Sequence, residues 1–97
     1  MKLIRDSIGE HIQKNEPGTA LRIANRNEIP LLLENKLTEE ISELKQSRFR
    51  DINEFADVFE VLAALALVNG FSEADITKAR TTKNATTGSF KKGFVLG

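Results

Sequence analysis

Residues 37–60, LTEEISELKQSRFRDINEFADVFE, decide both the fold and the chemistry expected of this chain. Helical periodicity runs through both halves, and the short piece Ser47-Arg48-Phe49-Arg50 separates them. Upstream, Asn27 is a helix-capping residue type and Pro30 falls in the first turn, where a missing N–H does no harm. A helix is therefore expected from there to about Gln46. Downstream, a second long helix is expected from about Asp51 to Asn69, with Gly70 as its left-handed terminator.

Placing side chains at about 100° per residue shows where the acids fall. With Leu33 at zero, Leu44, Leu37 and Ile41 lie at roughly +20°, +40° and +80°, and Ile29 and Leu32 at about −40° and −100°. Glu40 lands inside this apolar stripe near −20°, Glu43 lies within it near −80°, and Glu39 marks its edge. The second helix repeats the violation. Val58, Val61, Leu65 and Val68 lie within about 40° of Glu54, with Asp57 one turn on. Phe55, Phe59, Leu62 and Leu67 cover the other side, so this helix is expected to be central and buried all round.

A carboxylate placed in an apolar stripe has three outlets: protonation, pairing with a base, or binding a hard cation. Bases on these faces are scarce, Lys36 bordering the first stripe. One pair of acids at i, i+3 is commonly a solvated face. Two such pairs, each inside an apolar stripe on consecutive helices, point instead to a shared cation. Oxygen-only ligands without His or Cys suit Mg²⁺ or Mn²⁺ rather than zinc. The metal-ligand set expected from these positions is Glu40, Glu43, Glu54 and Asp57.

Outward from this centre the signals weaken. Ile4, Ile8 and Ile12 recur at i, i+4, i+8, which predicts an extended start and a short helix to Lys14, broken by Asn15-Glu16-Pro17-Gly18. Thr19–Ala24 alternates weakly and reads as a short extended segment. Ser72 with Asp75 forms a capping-box pattern for a last helix to about Asn84, and Phe94-Val95-Leu96 reads as a short terminal strand. The expected fold is thus one all-α domain over residues 1–97, a helical bundle with short extended segments near both termini. Its 97 residues, 40% hydrophobic and 29% charged, describe a globular chain at the lower size limit for a self-sufficient core. Oligomerisation is expected to supply the missing burial.

Charge excludes some function classes. The formal net charge is +0, so nothing favours a nucleic-acid polymer or a membrane surface. Placement is uneven, with acids concentrated between Glu39 and Glu60 and an acid-free basic stretch from Lys78 to Lys92. The longest apolar run, Val61–Val68, is too short to span a bilayer. No cysteine occurs and residues 1–14 lack an apolar signal-peptide core, so a cytoplasmic setting is expected.

Glu39-Glu40-Ile41-Ser42-Glu43 followed by Glu54-Phe55-Ala56-Asp57 resembles the ExxE…ExxD pattern of the MazG-like all-α NTP pyrophosphatases, a superfamily that includes phosphoribosyl-ATP pyrophosphohydrolase. Lys2-Leu3-Ile4-Arg5-Asp6 is similar to the start of its small stand-alone, house-cleaning members, and Gly88–Leu96 to their ending. The resemblance implies a homodimer or homotetramer that hydrolyses a nucleotide, with Mg²⁺, between its α and β phosphates. By position it assigns metal ligation to the same four carboxylates. Thr87-Gly88-Ser89-Phe90 departs from the usual Arg-Gly-Gly-Phe, and Ser7 stands where lysine is common; both departures bear on substrate choice.

For such a reaction Glu39 or Glu43 is the expected proton acceptor for the attacking water. Arg5, Lys83 and Lys91 are the expected phosphate contacts, because a polyphosphate needs cations beyond the metal. The alternative is a non-enzymatic helical dimerisation module, or a regulatory module that binds nucleotide without turnover.

Overall fold

A computed structural model describes residues 1–97 as four α-helices. They are α1 (Asp6–Asn15), α2 (Ile29–Gln46), α3 (Ile52–Val68) and α4 (Glu73–Thr87). The chain is all-α, as its periodicity predicts. Neither Thr19–Ala24 nor Phe94–Leu96 forms a strand, because neither finds a second extended segment to complete a hydrogen-bonded ladder.

Local signals set most of the helix ends. α2 begins one residue later than expected. Glu28, not Asn27, is its capping position, and the Asn25 side-chain oxygen accepts from the backbone N–H of Asn27 and Glu28 at 3.0 and 3.2 Å. Arg22 then clamps Glu28 with two bonds of 2.8 and 2.6 Å, which hold the Glu28 carboxyl down at a pKa of about 2. The loop before α2 is therefore tied to the helix entrance. At the α2–α3 turn, Arg48 and Phe49 both take left-handed backbone angles (φ 57° and 59°), and the Ser47 hydroxyl donates to the Leu44 carbonyl at 2.7 Å.

Asp51 caps α3 by accepting from Asn53 N–H at 2.9 Å. α3 closes with Gly70 at φ 90°, where Gly70 N–H reaches the Leu67 carbonyl and Phe71 N–H the Ala66 carbonyl. This 5→2, 6→1 pair satisfies the last free carbonyls and requires a residue tolerant of positive φ. Ser72 and Asp75 form the full capping box of α4. That helix runs three residues past Asn84, its last turn carrying threonine hydroxyls bonded back to the Thr82 and Lys83 carbonyls.

The tertiary organisation is a hairpin of α2 on α3 with the other elements attached at its ends. Its buried centre consists of Leu32, Leu33 and Leu44, joined by Glu40. The expectation that α3 is buried on all sides is corrected here. No residue of α3 is fully buried, since α4 bends away by 106° and no other helix than α2 lies along it. The molecule is accordingly elongated, 53 × 32 × 23 Å, with a radius of gyration of 17.1 Å. A compact chain of this length would measure about 12.5 Å. No single helix is long and apolar enough to cross a membrane.

Candidate metal centre

The α2–α3 hairpin brings acids from both helices together. One carboxylate oxygen from each of Glu40, Glu54 and Asp57 lies within 4.8 Å of the others. Glu40 is the deepest, 6% exposed in the middle of the leucine cluster. Its Oε1 accepts from Lys36 Nζ at 3.3 Å, one turn back on α2. Its Oε2 is buried with no hydrogen-bond partner, and so is Oε2 of Glu54. Two orphaned carboxylate oxygens on neighbouring helices are costly, because each has lost its water and gained nothing in return.

The electrostatics follow from that crowding. Burial pushes the Glu40 carboxyl above the usual range; Lys36 opposes the shift, and the like charge of neighbouring Glu43 adds to it. Burial likewise raises Glu54, reinforced by Asp57, Asp51 and Glu40. Glu39 behaves oppositely. Lys36 at 3.3 Å and Lys2 at 3.4 Å hold it below the usual carboxylate range. Asp57 accepts from the Arg5 guanidinium at 2.7 Å, and that bond raises the Arg5 pKa.

Of the four metal ligands expected from sequence, the structure gathers three. Glu43 stands next to Glu40 but outside the three-carboxylate group, and it pairs with no base. Arg5, expected as a phosphate contact, is at the site. Lys83 on α4 and Lys91 in the C-terminal tail are exposed, pair with no acid, and do not reach it. Lys36 carries more weight than its borderline position suggested, since it bridges Glu39 and Glu40. Its signal was the spacing itself, a lysine three and four residues before two glutamates on one helix. Lys2 pairs with Glu39 across 37 residues of sequence, a contact that no local spacing encodes.

A cleft of about 500 Å³ opens beside the carboxylates, a size ordinary for small-molecule sites. Arg5, Lys36, Glu40, Asp57 and Glu60 supply most of its polar wall, and Leu33, Val61 and Ala64 part of its apolar wall. A site with converging carboxylates, Lys36 beside them and Arg5 at the rim can hold a divalent ion together with a small anion.

No family model, no curated protein and no solved structure matches this chain.

Proposed function

We propose that the chain is a Mg²⁺-dependent nucleotide pyrophosphohydrolase that cleaves between the α and β phosphates, giving a nucleoside monophosphate and pyrophosphate; Mn²⁺ has the same ligand preference. One observation carries this reading: Glu40 Oε2 and Glu54 Oε2 are buried without partners in a group of three converging carboxylates. Hard oxygen donors of this kind fit Mg²⁺. Glu40, Glu54 and Asp57 would hold the ion, with Glu43 next in reach of Glu40. Such an ion supplies charge neutralisation on the phosphates and a lowered pKa for the attacking water.

The chain's own residues have the remaining roles. Lys36 fixes one oxygen of Glu40 and leaves the other without a partner. Arg5 is half-exposed at the rim, so its guanidinium can turn from Asp57 to a phosphate oxygen without leaving the cleft. Glu39 is committed to Lys2 and Lys36 and held ionised, which makes it a poor proton acceptor. Glu43, with no base attached, is the better candidate. In the step itself a water oxygen bonds to the α-phosphorus, its proton passes to Glu43, and the bond to the departing pyrophosphate breaks.

The resemblance to the MazG-like pattern agrees with this reading. A helical dimerisation module without chemistry would draw on the Arg5–Asp57 and Lys36–Glu40 pairs, but it leaves the two orphaned oxygens without purpose. The test is a screen of ribo-, deoxy- and modified nucleoside triphosphates for Mg²⁺-dependent pyrophosphate release. Release that disappears in Glu40→Gln is expected. No release from any nucleotide, or full activity in Glu40→Gln, refutes the proposal.

A further inference from the structure

Lys36 is the only base within ion-pair distance of Glu40, and it does not belong to Glu40 alone. Its Nζ lies 3.3 Å from Glu40 Oε1 and 3.3 Å from Glu39 Oε2. Helical spacing makes this fork, because residues three and four positions further on lie over the next turn beside the lysine. The Lys36 side chain is only 17% exposed, so little water competes for its charge. An ammonium this sheltered is costly to leave unpaired. Glu39 is held from its other oxygen, Oε1 pairing with Lys2 Nζ at 3.4 Å. The pairs thus form an ordered line, Lys2–Glu39–Lys36–Glu40, that ends at the one buried oxygen of Glu40 with no partner.

The balance of charge at the centre gives this line a consequence for the ion. Glu40, Glu54 and Asp57 bring three negative charges together, and Lys36 on Glu40 and Arg5 on Asp57 return two positive ones. How tightly an oxygen site holds a hard cation follows the charge that its ligands present. In the metal-free protein the carboxylates are therefore largely neutralised by the chain itself. The two bases differ in what releasing their acid costs. Arg5 is half-exposed and can turn to water. Lys36 is sheltered and cannot, but its second partner is already in place at the same distance. It can give up Glu40 Oε1, keep Glu39 Oε2, and never stand as a lone sheltered cation.

Resting on the metal reading above, we infer that Lys36 is an exchangeable internal counter-ion. It neutralises Glu40 in the metal-free protein and withdraws to Glu39 when Glu40 turns to a divalent cation. Glu39 is then a positioning residue, acting through Lys36 on a centre whose three-carboxylate group it does not join. Together the two residues set how tightly the ion is held. A salt bridge that only braced α2 would leave ion affinity untouched.

Mn²⁺, counted in its free form by electron-spin resonance, is titrated into the full chain without nucleotide. Lys36→Met, checked for wild-type helicity, is expected to hold Mn²⁺ about ten-fold more tightly than wild type, because the centre regains a full negative charge. Lys36→Gln keeps a donor for Glu40 without the charge, and gives the same direction should the methionine variant unfold. Glu39→Gln leaves Lys36 with Glu40 alone and is expected to weaken Mn²⁺ binding about three-fold or more. That effect should nearly vanish in a chain that already carries Lys36→Met. Unchanged or weaker binding in the Lys36 variants overturns the inference. So does a Glu39→Gln effect of equal size in both backgrounds, which a plain loss of negative charge would give. Either result, with Mn²⁺ bound by wild type, leaves the metal centre standing. If neither wild type nor any variant binds Mn²⁺, the centre itself fails and the inference with it.

Discussion

Replacing Glu40 by Gln separates a metal ligand from a structural ion pair by the sign of the stability change. In the metal-free protein Glu40 has one oxygen on Lys36 and the other buried with no partner, beside Glu54 and Asp57. Gln keeps an acceptor for Lys36, removes one negative charge from the cluster, and offers an amide N–H₂ toward the orphaned Glu54 oxygen. An unsatisfied buried polar group costs about 1–3 kcal/mol. Relieving part of that should stabilise the metal-free variant by roughly 1–2 kcal/mol, which raises Tm by about 4–8 °C for each kcal/mol in a chain of this size. Mg²⁺ should do the opposite to the pair. At a hundred times its Kd it adds about 2.7 kcal/mol to wild type, or roughly 10–20 °C, and little to Glu40→Gln. Thermal melts by circular dichroism, in EDTA and in Mg²⁺ at one fixed protein concentration, read both quantities. A Glu40→Gln protein that melts several degrees below wild type in EDTA would mean that Glu40 serves the fold through Lys36, and the metal reasoning would be refuted.

Three further outcomes follow from the same geometry. Glu40 and Glu54 have carboxyl groups raised in the folded state, so below their raised pKa values the native form holds protons that the unfolded chain has released. Metal-free stability should therefore fall as pH rises through that window, and rise on mild acidification from neutrality. It should then drop as pH continues from the ordinary carboxylate range toward 2, where Glu28, Glu39 and Asp75, all lowered, lose their partners. Tm measured against pH in EDTA checks this, and a monotonic decline from pH 7 downward contradicts it. Arg5→Ala should weaken pyrophosphate release about ten-fold or more through the lost phosphate contact, while Tm hardly changes, because water screens this ion pair. Steady-state kinetics and a melt on the same sample separate the two effects. Ser72→Ala removes half of the α4 capping box and should cost about 1 kcal/mol, or roughly 4–8 °C in Tm, without changing metal-dependent activity.

The amino-acid sequence by itself determined the helices and most of their ends. Asp51, Gly70 and the Ser72–Asp75 box act through hydrogen bonds that span a few residues, so their signals survive without a tertiary context. Placing Glu40 in an apolar stripe was equally local, a matter of 100° per residue. What only the tertiary structure decided is which surfaces meet. The rotation of α2 against α3 gathered Glu40, Glu54 and Asp57 while leaving Glu43 to one side, and brought Arg5 across 52 residues to Asp57. The same holds for α3. An apolar stripe has the same periodicity whether its own chain or another copy covers it, because hydrophobic burial is non-directional and rewards any water-excluding neighbour.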